Sequence, residues 1–142
     1  MAAFGWSVGD IVASIQLVAK IVVALKETGG AKFEYQESIE FLFGLEITLQ
    51  NLQTIAPVLL TRSQESILQV EIEKIAKPIS IFFEKVKKLD TALGLDSKKG
   101  SWRAAPRKVQ WAMQVLKEVK VLRDRISVPI ASLNILLQSQ VL

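Results

Sequence analysis

Leu68, Ile72, Ile75, Ile79, Phe82, Val86, Leu89 and Leu93 recur at steps of four, three, four, three, four, three and four. That period keeps all eight on one face of an α-helix, whereas a strand would need steps of two. The helix they predict starts near Arg62 or Ser63, where Thr61 and Gln64 stand in capping-box spacing and Ser63 offers a second cap. Gly94 ends it. Pro78 lies inside, and its missing donor and its ring predict a kink over Lys74 to Lys77.

Two further helices precede this one. The first is expected from Ser7 or Asp10, both good N-caps, to Thr28, with Gly29-Gly30 as its stop. Its apolar positions are Ile11, Val12, Ile15, Val18, Val22 and Leu25, with Leu17 and Ile21 beside them. So broad a stripe belongs to a helix at the centre of a bundle. The second is expected from Ala31 to Ala56, stopping at Pro57. Tyr35, Leu42, Leu45, Leu49, Leu52 and Ala56 form its stripe, and Ile39, Phe43 and Ile47 widen it. Acidic Glu34 and Glu37 suit its first turns.

Residues 94–104 read as a loop, and Pro106 is placed to open a helix. Val109, Met113, Leu116, Val119, Leu122 and Ile126 follow, then Ile130, Leu133 and Leu137, with a bend or split expected at Pro129. The expected fold is therefore all-α: an antiparallel four-to-five-helix bundle over residues 1–142, kinked near Pro78 and Pro129. Leu45, Leu49, Ile75, Ile79 and Phe82 are expected to be its most deeply buried side chains. The helical pattern runs up to Val141-Leu142, which suggests the N-terminal part of a longer protein.

Composition sharpens this picture mainly by exclusion. Seven glycines and four prolines in 142 residues are too few turn signals for an all-β chain. Histidine and cysteine are both absent. That removes the usual zinc and haem ligands, the commonest general base, the thiol nucleophile and any disulfide. The 14 acidic residues are scattered over helix faces, and no D-x-D-x-D-G loop is present for a hard cation. Gly29-Gly30 lacks the Lys-Ser/Thr that follows a phosphate cradle, and no G-x-G-x-x-G occurs. A non-enzymatic domain without a cofactor is expected.

The N-terminal segment is apolar without being a targeting signal. Met1 to Gly9 has no basic n-region and no small-residue cleavage site. Over Val8 to Leu25, 13 of 18 residues are Val, Ile, Leu or Ala, yet Asp10, Ser14, Gln16 and Lys20 interrupt the run. One Asp or Lys at the centre of a spanning helix costs about 2.5–3.5 kcal/mol. The segment therefore reads as a buried or membrane-lying helix. Phe4 and Trp6 ahead of it serve either as a staple onto the bundle or as interfacial anchors.

Charge divides the chain. Residues 1–73 carry four basic against nine acidic side chains, a net of −5; residues 74–142 carry fourteen against five, a net of +9. Three readings of the basic half stand beside one another: a solvated face, an anionic membrane or acidic protein partner, and nucleic acid. Trp102 and Trp111 lie among the basic residues as stacking aromatics would, but Val115 one turn after Trp111 fits an apolar stripe equally well. Trp111 is read as a packing residue, and no nucleic acid is expected. The membrane reading takes Phe4, Trp6, Val8, Ile11, Val12 and Ile15 as the apolar contact, and Lys98, Lys99, Arg103, Arg107 and Lys108 as the basic one.

Three segments together resemble fungal HeLo-like N-terminal domains. They are Phe4-Gly5-Trp6-Ser7-Val8-Gly9-Asp10 leading to Gly29-Gly30; Glu34-Tyr35-Gln36-Glu37 followed by Leu42, Leu45 and Leu49; and Trp102-Arg103, Lys108-Val109-Gln110-Trp111-Ala112, Lys117-Glu118-Val119, Leu122 and Leu133-Asn134-Ile135-Leu136-Leu137. The resemblance covers nearly the whole chain, and the Lys-Val-Gln-Trp-Ala segment is its most specific part. It implies a bundle similar to the four-helix bundle of the necroptosis pseudokinase. It further implies a role in programmed cell death or allorecognition, by binding and permeabilising the plasma membrane from the cytoplasm. Phe4 to Leu25 would be the inserting element, released when the chain oligomerises with its copies, and downstream domains of the same chain, as in NOD-like receptors, would supply the trigger. Anionic lipids are the expected partner. A helical protein-interaction module in a signalling receptor, or a structural spacer, are the other expectations.

Overall fold

The structure, a computed structural model, describes residues 8–29, 32–59, 65–92 and 101–141; at 8, 29, 55–59, 65–69, 92, 101–106 and 139–141 it describes the backbone alone. These residues form four helices in chain order: α1 (Val8–Gly29), α2 (Phe33–Leu59), α3 (Glu65–Ala92) and α4 (Ser101–Val141). There is no strand among the described residues. The all-helical expectation holds, because each long apolar run has helical spacing and each helix buries its stripe in one shared core.

All four helices supply that core. Its fully enclosed side chains include Val18 and Leu25 of α1, Leu42 and Leu49 of α2, Ile75 and Ile79 of α3, and Leu122, Ile126 and Leu133 of α4. The five residues expected to be deepest, Leu45, Leu49, Ile75, Ile79 and Phe82, are at most 3% exposed. Closing these stripes against one another removes them from water, worth about 1.5–3 kcal/mol for each large side chain.

Cross-helix contacts fix the registers. Trp111 Nε1 of α4 donates to Asp90 Oδ1 of α3 at 2.6 Å, and Lys85 of α3 lies 3.4 Å from Glu118 of α4. Stepping back along α3 therefore steps forward along α4. Arg123 of α4 meets Glu37 of α2 at 2.9 Å, and Asn134 Oδ1 of α4 lies 3.0 Å from the Thr48 hydroxyl of α2. Both pairs are 86 residues apart, so α2 and α4 advance in the same direction. The buried Thr48 hydroxyl also lies 3.1 Å from the Gly44 carbonyl oxygen, one turn back, so it keeps a partner inside the helix.

Several expectations need correction. The central helix is α4, which packs against each of the other three; α1 packs mainly on α2 and leaves Leu17 and Val23 open to solvent. A broad apolar stripe therefore does not require enclosure on every side. α2 continues through Pro57 to Leu59. Proline removes only its own donor, and the residues after it can still bond to carbonyls four positions back. α4 begins at Ser101, so residues 101–104 are helical and Pro106 is interior. It is also unbroken at Pro129. The buried stripe Leu122, Ile126, Leu133 and Leu137, with half-buried Ile130, keeps its phase across that proline, so one helix buries both halves. That burial outweighs the cost of an interior proline, about 3 kcal/mol. α3 is one continuous helix through Pro78, where the sequence predicts a kink rather than a stop. The proposed caps at Thr61 and Ser63 and the stop at Gly94 lie outside the described residues.

Two side-chain facings differ from expectation. Phe43 and Ile47 do not widen the α2 stripe but point outward, and the Lys26 ammonium sits 4.6 Å above the Phe43 ring. At the start of α4, Trp111, Ala112 and Val115 are buried while Val109 and Met113 are exposed. Two residues correspond to about 200° of helix rotation. The face of α4 that carries Trp111 and its bond to Asp90 is the buried one, so Val109 and Met113 on the other side are turned away from the core.

Candidate membrane-binding surface

The sequence-derived contact set divides into a buried part, an exposed part and a part outside the description. Ile11 is 2% exposed and Val12 and Ile15 are half-buried, Ile15 packing onto the core. These α1 residues face the bundle. Arg107 and Lys108 are exposed near the start of α4. Phe4, Trp6, Lys98 and Lys99 lie outside the described residues, and Val8 and Arg103 are described by backbone only. The structure thus places Arg107 and Lys108 side by side on one helix, while Ile11 and Ile15 of α1 are committed to packing.

The basic surface extends beyond these two. On α4, Lys117, Lys120 and Arg125 are exposed; on α3, Lys77, Lys85, Lys87 and Lys88 are exposed. Acidic neighbours neutralise part of it. Lys85 pairs with Glu118, and Lys74 pairs with Glu71 at 3.3 Å. Both pairs are solvent-exposed on the lysine side, where an ion pair is worth at most about 1 kcal/mol and is screened by salt.

α4 also presents apolar groups that the sequence reading assigned to the core or did not assign. Val109, Met113, Val121, Val128 and Ile135 are between 42% and 76% exposed. Val121, Val128 and Ile135 recur every seven residues, a signal present in the sequence but masked by the stronger buried stripe one position away at Leu122. By contrast Trp111, the aromatic among the basic residues, is 6% exposed and its indole N–H is used by Asp90. It offers no free ring face for a base.

Between the start of α2 and the middle of α4 lies a cleft of about 220 Å³, lined by Phe33, Glu34, Glu37, Ser38, Val119, Lys120 and Arg123. It is smaller than the pockets that hold drug-sized ligands, about 300–1,000 Å³. The Arg123–Glu37 pair spans it. The cleft's lining carries two acidic and two basic side chains, of which Glu37 and Arg123 pair with each other. Among the described residues no group of three metal-ligating side chains comes together, and no helix is long and apolar enough to cross a membrane. No family model, no curated protein and no solved structure matches the chain.

Proposed function

We propose that this chain is a membrane-targeting effector domain of the HeLo-like type, non-enzymatic and without a cofactor. In this reading it resides in the cytoplasm and is recruited to the anionic face of the plasma membrane when its copies oligomerise in cell death or allorecognition. The observation that carries the reading is the exposed basic surface of α3 and α4, beginning at Arg107 and Lys108, in a half-chain of net charge +9. Near an anionic bilayer each Lys or Arg contributes about 1 kcal/mol, so four exposed residues together add about 4 kcal/mol to recruitment. The bundle of this proposal is antiparallel from one helix to the next, with α2 and α4 as alternate, parallel members; the registers through Asp90–Trp111 and Glu37–Arg123 support it. Burial of Ile11, Val18 and Leu25 makes α1 a latent element, available to lipid only after the bundle opens.

Co-sedimentation with vesicles of graded anionic content tests the proposal, using both the free chain and the chain tethered to an oligomerising partner. Binding should rise with anionic lipid and fall as salt shortens the screening length below about 8–10 Å. The tethered chain should also release entrapped dye. If the tethered chain neither sediments nor releases dye, the function is instead a helical protein-interaction module, which the exposed Phe43 and Ile47 on α2 favour.

A further inference from the structure

α4 carries two stripes with different fates. The inner stripe, through Val119, Leu122, Ile126 and Leu133, is enclosed by the other helices. The outer stripe holds Val109, Met113, Val121, Val128 and Ile135, exposed at 46%, 55%, 42%, 76% and 67%. At 1.5 Å per residue it spans about 39 Å of helix. Exposed Lys117 and Lys120 lie within this stripe, and Arg107 and Arg125 flank it. Asp124 is the exposed acid on the same face, and Glu118 is turned toward Lys85 of α3.

We infer that this outer face of α4 is where the folded domain first meets an anionic lipid surface, with α4 lying in the plane of the interface. The inference rests on the membrane reading above and adds the contact surface to it. A long line of separate Val, Met and Ile side chains between lysines and arginines matches a plane that is anionic at its surface and apolar just beneath. The lysine and arginine stems lie along the apolar stripe while their heads stay at the phosphate level. A second copy of the same face is a poor occupant, because a two-fold contact would bring Lys117, Lys120 and Arg125 of one copy among those of the other. The other exposed apolar patch, Phe43 and Ile47 of α2, suits an anionic surface less well: Lys26 already occupies the Phe43 ring, and exposed Glu40 lies three residues away. Nor do Ile11, Val18 and Leu25 of α1 reach lipid in this state, being at most 2% exposed. The exposed Leu17 and Val23 of that helix are two apolar groups with one lysine, Lys20, between them, against five with four cations on α4.

The chain has no cysteine, so single cysteines introduced for labelling are unique. Val128→Cys and Ile135→Cys place an environment-sensitive fluorophore on the outer face of α4; Val23→Cys and Ile47→Cys place it on α1 and α2, at comparably exposed positions. Each labelled 142-residue chain is mixed with phosphatidylcholine vesicles containing 30% phosphatidylserine (roughly the charge density of an anionic leaflet). Circular dichroism confirms unchanged helicity. The expected result is a blue shift at 128 and 135, none at 23 and 47, and none with phosphatidylcholine alone. The triple change Lys117→Glu, Lys120→Glu and Arg125→Glu should lower vesicle affinity at least tenfold. If the parent chain sediments with these vesicles but labels at 23 and 47 shift while those at 128 and 135 do not, the α4 assignment is wrong and the membrane reading stands. If the parent chain does not sediment in either its free or its tethered form, both fail. An equal shift at 128 with soluble polyglutamate overturns lipid as the occupant and assigns the face to an acidic protein.

Discussion

α1 and α4 are both rich in apolar residues, yet they use them in opposite ways. α1 has the more apolar sequence, 13 of 18 residues over 8–25 being Val, Ile, Leu or Ala, and it turns most of that character inward: Ile11, Val18, Ile21, Val22 and Leu25 are all below 5% exposed, with Leu17 and Val23 left in water. α4 is longer and more charged, and still leaves Val109, Met113, Val121, Val128 and Ile135 in water. Apolar content therefore marks what builds the core, whereas apolar residues off the core stripe mark what is left for another surface. Basic residues follow the same division. Lys20 and Lys26 are the exposed cations of α1, while α4 carries four in or beside its outer stripe, Arg107, Lys117, Lys120 and Arg125.

The strongest way to break this comparison is to truncate one residue of each kind. Leu25 of α1 is fully buried, so Leu25→Ala should lower unfolding free energy by about 2–5 kcal/mol. That is a large share of a typical total of about 5–15 kcal/mol. Val128 of α4 is 76% exposed, so Val128→Ala should stay within about 0.5 kcal/mol of the parent. Urea denaturation at constant m-value reads both. Equal losses would mean that α4's outer stripe is packed in solution and unavailable to any partner.

A smaller effect sharpens the comparison at the point where α4 acquires its two faces. The indole of Trp111 donates to Asp90 from a side chain only 6% exposed, on the face of α4 that is turned to the core. Trp111→Phe keeps most of the volume and removes the donor. A hydrogen bond to a charged group contributes about 1.5–3 kcal/mol, so the loss should fall in that range. A loss below about 0.5 kcal/mol would show that packing alone sets the rotation, and that the outward turn of Val109 and Met113 has another cause.

How far the sequence disclosed these features depended on whether local pattern or distant contact decided them. The stripe from Ile72 to Val86 was legible because its spacing has one solution, and its buried members are those the spacing selects. The start of α4 was not, because Val109 and Met113 also fit a helical period; the choice between stripes is made by contacts with the other helices, among them the bond to Asp90, 21 residues earlier in the chain. Prolines misled for a related reason. Pro57 and Pro129 carry a local penalty that is visible in sequence, but the burial that offsets it at Pro129 comes from Ile126 and Leu133 packing on other helices. For the candidate surface, Arg107 and Lys108 were legible as charge, while the outer stripe appeared only once the inner one was located. The α1 residues Ile11 and Ile15 were legible as apolar, but their commitment to the core in the folded domain was a tertiary fact.

The smallest expected effect concerns the ion pair that links the acidic and basic halves. Arg123 of α4 and Glu37 of α2 are 2.9 Å apart, but their side chains are 36% and 41% exposed. Water and salt screen a pair so placed, and holding two long side chains in one geometry costs rotamer entropy. A double-mutant cycle of Glu37→Gln and Arg123→Gln should therefore return a coupling of about 0.2–1 kcal/mol at low salt, shrinking toward zero near 1 M salt, where the screening length is about 3 Å. The Thr48–Asn134 contact, two to three turns further along the same two helices, is neutral and should not respond to salt. Cycles at both sites consequently separate two contributions to one interface. A salt-dependent Glu37–Arg123 coupling with a salt-independent Thr48–Asn134 coupling would mean that charge only trims a register set by packing. If the Glu37–Arg123 coupling exceeded about 2 kcal/mol and survived 1 M salt, the opposite would follow. The two halves would then be held in place by their charges, and recruitment of α4's cations to an anionic surface would compete directly with the fold.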